Sequence, residues 1–366
     1  MRISIVASIW ISVPPKGFGF GAQEYLAYYI AEGLQKKGHQ VTLFASGDSK
    51  TNARLVSITP KQVEDINFPD PKIKDMFELM NLSAAYKVAD SFDIIHNHLL
   101  PYGLPFAPLT STPTVHTLHH EIYNTRAGYF LYKNYPKQNY ISISNTQRKI
   151  MPELNYIATV HNGSDPNFYA FKKIPDQNYM LFLGRMKKYK GIHTAIKLAQ
   201  QTGIKFIVAS PLPNPNQSDY NEVMEYWKTE IQPNLNKNIE HIDNLKGEDK
   251  VTFIQNAKVL ISPNEREEPF GMTLIEAMAC GTPVIAYNDG ACSEIIVNNK
   301  TGFLVDQSAG IQGLREALKK IYNMPQDEYL IMRQNARGHF EKNFTVEKMV
   351  DEYEKVYRKV LGDKNK

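Results

Sequence analysis

The chain has 366 residues, long enough for two domains of ordinary size, and 42% of them are apolar, enough to fill a core in each. Its 42 lysines and arginines against 38 acidic residues leave a net charge of only +4, too slight to mark a nucleic-acid partner, though it leaves docking on anionic membranes open. Two cysteines make no disulfide framework, and no run nears about 18 uninterrupted apolar residues, so a reduced, cytoplasmic, globular chain without a bilayer span is expected.

The opening RISIVA reads as a strand rather than a signal peptide, because it lacks a small-residue cleavage site and runs into a loop with Pro14, Pro15, Gly17, Gly19 and Gly21. From about Ala22 a helix places Leu26, Tyr29, Ile30 and Leu34 at helical spacing and closes at Gly38; QVTLFAS follows as a second strand. Further strands are predicted at Asp93 to His96, Thr114 to Leu118, Asn139 to Ser144 and Tyr156 to Val160. This alternation implies a parallel sheet covered on both faces.

Past His161-Asn162-Gly163 the pattern restarts with strand YMLFLG, helix GIHTAIKLAQQTG, strand IKFIVAS, a helix near Asp219 to Glu230 and strand IEHI. Helix EDKVTFIQNA, strand KVLIS, a helix from Met272 to Cys280, and strands PVIA and GFLV complete it. Residues 1–162 and 163–344 therefore read as two doubly wound, Rossmann-like α/β domains facing a central cleft, with ligands beyond the carboxyl ends of the strands. Residues 345–366 follow as a helix with Val346, Met349, Val350, Tyr353, Val356, Tyr357 and Val360 along one face. No pattern fixes an oligomeric state.

The helix from Met272 to Cys280 is apolar on nearly every side, yet Glu276 sits in its middle. A lone carboxylate in such a place costs several kcal/mol, in order of magnitude, unless it is protonated, paired or hydrogen-bonded, so a protein cation or a ligand hydroxyl must meet it. Upstream, Glu268-Pro269-Phe270-Gly271 brings a second carboxylate to the helix entrance, where Gly271 opens free backbone N–H groups to an anion. Gly184-Arg185 at a strand end and Lys190-Gly191 at a helix start add two cations of the kind that hold a diphosphate.

Five histidines, His96, His98, His116, His119 and His120, cluster in the first domain. His-x-His spacing can present two rings on one strand face, but apart from Glu121 no carboxylate or cysteine accompanies them, and no metal is expected. Gly17, Gly19 and Ala22 formally satisfy a dinucleotide fingerprint, which would suggest an NAD-dependent oxidoreductase. A Val-Pro-Pro-Lys excursion before the glycines and the absence of an acid ending the second strand, Asp48 lying too far along, oppose that reading. The aromatics Phe106, Tyr123, Tyr129, Phe130, Tyr132 and Tyr135 suit sugar stacking or a membrane interface, though core packing accounts for most.

The stretch EPFGMTLIEAMACGTPVIA, with Glu268 and Glu276 eight positions apart, resembles the Glu-x7-Glu signature of the retaining GT-B glycosyltransferases of family GT4. The resemblance implies transfer of a glycosyl unit from a nucleotide sugar, most simply a UDP-sugar, to an acceptor hydroxyl in glycan, glycolipid or cell-envelope synthesis, with no metal or other cofactor. It implies an acceptor domain at the N-terminus, a donor domain after it, and a terminal helix crossing back to the first.

The same resemblance assigns Glu268 to the sugar ring, Phe270, Gly271, Met272 and Thr273 to sugar and phosphate, Glu276 to the ribose, and Arg185 and Lys190 to the departing diphosphate. VHTLH resembles the family's Val-x-Thr-x-His, which makes His119 the catalytic residue of the first domain; Gly21 belongs to a loop over the diphosphate, and Glu24, His96 and His98 are candidate acceptor or sugar contacts. The chemistry implied is a same-face displacement in which a diphosphate oxygen helps take the acceptor proton while Glu268 and His119 hold the sugar. Departures stand at Ala22, Tyr189, Asp243, Arg266-Glu267 and Ser293, where the family often has Gly, Glu, Gly, an aromatic and Pro. A sugar-nucleotide epimerase on the same architecture and a non-catalytic binding protein are the alternatives.

Overall fold

The computed structural model describes residues 1–16, 21–66, 73–120, 126–215 and 219–362; the side chains at 74, 126 and 127 lie outside that set. Gly17, Gly19, Glu121 and Tyr123 fall outside the described residues. The chain divides into two compact units, Met1–Gly163 with Val346–Lys366, and Ser164–Thr345.

In unit 1 the β-branched runs form parallel strands β1 (Arg2–Val6), β2 (Gln40–Phe44), β3 (Arg54–Val56), β4 (Ile94–Asn97), β5 (Thr114–Leu118), β6 (Asn139–Ser142) and β7 (Tyr156–Thr159). They assemble in the order β3-β2-β1-β4-β5-β6-β7. Every residue of β4 and β5 is buried, as a strand covered on both faces requires. The covering helices include α1 (Ala22–Lys36), α2 (Ile73–Lys87) and α3 (Arg126–Lys133).

Unit 2 repeats the plan with β8 (Met180–Leu183), β9 (Phe206–Ala209), β10 (Ile239–Ile242), β11 (Val259–Ser262), β12 (Val284–Tyr287) and β13 (Gly302–Val305), in the order β10-β9-β8-β11-β12-β13. Its helices are α4 (Ile192–Thr202), α5 (Tyr220–Tyr226), α6 (Gly247–Asn256), α7 (Met272–Ala279), the short α8 (Cys292–Ile295), α9 (Gly310–Tyr322) and α10 (Gln326–Asn343). The helix expected to run to Glu230 leaves the α-geometry at Trp227, where a π-turn takes over to Ile231. α9 and α10 fill a stretch in which nothing was expected.

The last helix, α11 (Val346–Val360), belongs to unit 1. Its apolar stripe buries Met349, Val350, Tyr353, Val356 and Tyr357. At its outer edge Glu354 receives Lys37 at 2.6 Å, Arg358 at 2.7 Å and His39 at 3.1 Å. Burial alone would raise the Glu354 carboxyl, but these donors outweigh it and hold it at about 2.

In each unit the strand order reverses at one point, between β1 and β4 in unit 1 and between β8 and β11 in unit 2. In doubly wound sheets the crevice beyond that point is where ligands sit.

Candidate active site

At the reversal in unit 2, the loop after β8 meets the loop after β11. Gly191 has φ 71°, and a Cβ there would lie 2.0 Å from the Pro263 carbonyl oxygen, so no larger residue lets the loops touch. The Glu265 amide donates to the Tyr189 carbonyl at 2.7 Å and closes the contact. As a result the Lys190 ammonium pairs directly with the Glu268 carboxylate, both side chains being largely shielded from water. Asn264 Nδ2 donates to the same Glu268 oxygen at 2.6 Å. From the other side Gly290, φ 54°, packs so closely that a Cβ would stand 2.4 Å from the Glu268 backbone, while the Ala291 amide donates to the Glu268 carbonyl at 2.9 Å.

Arg185 is exposed, and its Nη2 donates to the Tyr189 hydroxyl at 3.3 Å. The Tyr189 ring also faces Lys190 at 5.6 Å and Arg266 at 5.3 Å, so it gathers three cations. Tyr189 stands where an acid would have oriented Lys190; Glu268 does that instead.

α7 begins at Gly271, which has φ 99°, and Met272 and Thr273 are half-buried in its first turn. Phe270 is buried, edge-on to Phe344 at 6.1 Å. One turn further on, Glu276 is 6% exposed and does have partners. The Tyr169 hydroxyl donates to Oε1 at 2.8 Å, and the Lys250 ammonium lies 2.8 Å from Oε2. The second contact balances charge without forming a directed hydrogen bond, so Oε2 keeps acceptor capacity for another donor. Nearby thiols are not candidates for chemistry: both cysteines are unpaired, and burial, then neighbouring carboxylates, pushes Cys280 and Cys292 up to about 12.

At the reversal in unit 1, His98 follows β4 and His119 follows β5. His98 Nδ1 and His119 Nε2 share a hydrogen bond of 2.7 Å, with the rings stacked at 17°. His96 is wholly buried, its Nε2 bonded to Thr117 Oγ1 at 2.7 Å and its Nδ1 to the Tyr357 hydroxyl at 2.6 Å. Both of its nitrogens are therefore spent inside unit 1, and the acceptor contact expected of it has no free atom to make it. Burial first, and neighbouring imidazoles second, hold His96, His98 and His119 well below the usual histidine range, so all three rings are neutral at pH 7. Glu24 is buried in the first turn of α1, which Gly21 caps with φ 107°. Next to it, Gln23 Nε2 donates to the His98 carbonyl at 2.8 Å.

Of the residues predicted for the donor, Arg185, Lys190, Phe270, Gly271, Met272, Thr273 and Glu276 thus fall around β8, β11 and α7, whereas Gly21 lies in unit 1 at the start of α1 with Glu24, and His96, His98 and His119 lie at β4 and β5. Asn264, Tyr169, Lys250 and Gly290 were not foreseen. Gly290 in its Asn-Asp-Gly turn, and Asn264 four residues before Glu268, are the two that local sequence could have flagged.

Residues 165–339 match the family described as glycosyl transferases group 1, and residues 23–168 match glycosyltransferase family 4. The O-antigen chain mannosyltransferase C of Escherichia coli is 23% identical over 374 residues, covering 94% of this chain and 96% of the relative. Sucrose-phosphate synthase from Thermosynechococcus elongatus shares the fold over the full length of both chains, with a TM-score of 0.80 and 19% identity. HepE from Anabaena, solved with UDP and glucose, does so over 98% of this chain and 100% of its own, at a TM-score of 0.74 and 16% identity.

Proposed function

The chain belongs to the family 4 glycosyltransferases, of GT-B fold, and from that premise we propose that it moves a hexosyl unit from a nucleotide sugar to an acceptor hydroxyl with retention of anomeric configuration. The observation that carries the donor assignment is the meeting of Lys190, Glu268 and the start of α7 at the reversal of the unit 2 sheet. Cations beside free backbone amides suit a diphosphate, and Glu276 Oε2, four residues into α7, has capacity for a ribose hydroxyl. UDP is the nucleotide we favour, since HepE was solved with it; a cell-envelope polysaccharide is the product class we favour, since the Escherichia coli relative builds O-antigen.

In this reaction Arg185, Lys190 and the amide groups at the start of α7 take up the charge that develops on the leaving diphosphate. Lys190 is held in place beforehand by Glu268, so little reorganisation precedes bond breaking. Glu268, fixed by Asn264 and by the Gly290 turn, holds the sugar. A diphosphate oxygen helps take the acceptor proton, and no cofactor beyond the donor is required. In unit 1, His119 is the group assigned a part in catalysis, acting as a neutral imidazole. The reaction then takes place in the cytoplasm, at a membrane surface where the acceptor is lipid-linked.

Calorimetric titration of UDP, GDP, ADP and dTDP into the wild type and Glu276→Ala tests the donor assignment. One nucleotide should bind clearly and lose affinity in the variant. Equal binding to both proteins would remove Glu276 from the ribose site. Conversion of a nucleotide sugar to its epimer with no acceptor present would replace transfer by epimerisation.

A further inference from the structure

Two neutral imidazoles joined by one hydrogen bond cannot choose their tautomers independently. The bond between His98 Nδ1 and His119 Nε2, 2.7 Å long, needs a proton on one nitrogen and a lone pair on the other. If His98 carries its proton on Nδ1, His119 must leave Nε2 bare and carry its own on Nδ1. If His119 is protonated on Nε2, His98 must be protonated on Nε2 as well. The two residues therefore always bear their proton on the nitrogen of the same name. Mixed arrangements put two donors or two lone pairs face to face.

His98 is the fixed member of the pair. Its amide donates to the Val6 carbonyl at 3.0 Å, its carbonyl accepts from Gln23 Nε2 at 2.8 Å, and its ring is 2% exposed. The ring lies 4.0 Å from that of His96, which Thr117 and the Tyr357 hydroxyl hold from both ends. The outer nitrogens, His98 Nε2 and His119 Nδ1, are buried and have no hydrogen-bond partner among the described residues. Both rings line a small cavity with Leu100, Leu118, His120 and Tyr132. A hydroxyl entering there supplies the partner that the outer nitrogens lack.

Resting on the reading of His119 as the catalytic group of unit 1, we propose that His98 is its positioning residue, orienting the His119 ring and deciding whether Nδ1 of His119 donates or accepts. The coupling lets His119 act in either sense without becoming charged. It also joins α11 to the site, since the far end of the chain of contacts is Tyr357.

The test is a two-bond nitrogen–proton correlation spectrum of the histidine-labelled full chain at about pH 7, where tautomer and charge are read directly. His98 and His119 should each show one neutral tautomer, both of the same type, and opposite tautomers would overturn the proposal. In His98→Ala, His119 should show exchanging tautomers. Turnover should fall about 100-fold with little change in donor KM, as expected when a catalytic group loses its alignment. His98→Asn, whose amide reaches the position of Nδ1, should restore most of both. An unaltered His119 spectrum and unaltered turnover in His98→Ala would sink the idea. His119→Ala is measured in parallel: if it too leaves turnover intact, the catalytic role of His119 fails, while the spectrum still decides the pairing.

Discussion

The two reversal points carry the same topology and opposite electrostatics. At β4 and β5 of unit 1 the polar interior is built from imidazoles held neutral, with tyrosine and threonine hydroxyls as partners. At β8, β11 and α7 of unit 2 it is built from ionised groups in pairs, Lys190 with Glu268 and Lys250 with Glu276. Behind α7, unit 2 adds Arg333, fully buried and bonded to the carbonyls of Lys172, Gln255, Ala257 and Cys280 and to the Tyr329 hydroxyl. A buried ion is costly unless every partner is present, whereas a neutral hydrogen bond is cheap to lose. Unit 2 should therefore be brittle to mutation and unit 1 sensitive to acid.

The sharpest test is Arg333→Met, which leaves those acceptors unpaired. It should destabilise unit 2 by about 3–5 kcal/mol, read by chemical denaturation through Trp227, the tryptophan of that unit. A loss below about 1 kcal/mol would mean that the buried guanidinium is neutral in its effect and the contrast is false.

Acid should act on the other unit. His39, His96, His98, His116 and His119 of unit 1 are all lowered, burial being the first cause in each and taking His116 to about 3; in unit 2 burial lowers His339. A histidine neutral in the fold gains its proton on unfolding, so the unfolded state binds more protons and stability falls as pH drops below about 6.5. Glu354 adds a further loss below about 4.5, down to its folded value of about 2. Trp227→Phe leaves Trp10 to report unit 1, and Trp10→Phe leaves Trp227 to report unit 2. The Trp10 transition should come at the higher pH, and coincident transitions would dissolve the distinction.

Within the proposed reaction, Glu268→Gln should lower turnover by about 100-fold or more while donor affinity changes less, because it removes a charge from a preorganised pair. The reverse pattern in steady-state kinetics would make Glu268 a binding residue only. The smallest effect is expected for Tyr357→Phe, which removes one neutral hydrogen bond from His96 and should cost about 1 kcal/mol by denaturation read at Trp10.

Much of this was legible before any coordinates. Continuous β-branched runs such as VLIS and TVHTL announce strands buried on both faces, and β5 lies where it was expected, Thr114–Leu118. Dense local signals, Glu-Pro-Phe-Gly and Lys-Gly among them, bring the unit 2 residues to one place. α9 was readable too, since Leu314, Ala317, Leu318 and Ile321 recur at helical spacing. α10 was not: part of its buried face is Arg333, which an apolar pattern scores as surface. The partners of Glu276 were hidden for another reason. Tyr169 and Lys250 lie 107 and 26 residues away, and only the tertiary fold joins them.

α11 has a consequence for synthesis. The sheet of unit 1 is complete by Thr159, yet the hydroxyls that meet Thr117 and His96 come from Tyr353 and Tyr357. A chain emerging from the ribosome must make the whole of unit 2 before it can close the interior of the unit it made first. The earlier domain is thus the later one to mature, and its polar core waits open for nearly 200 residues of translation.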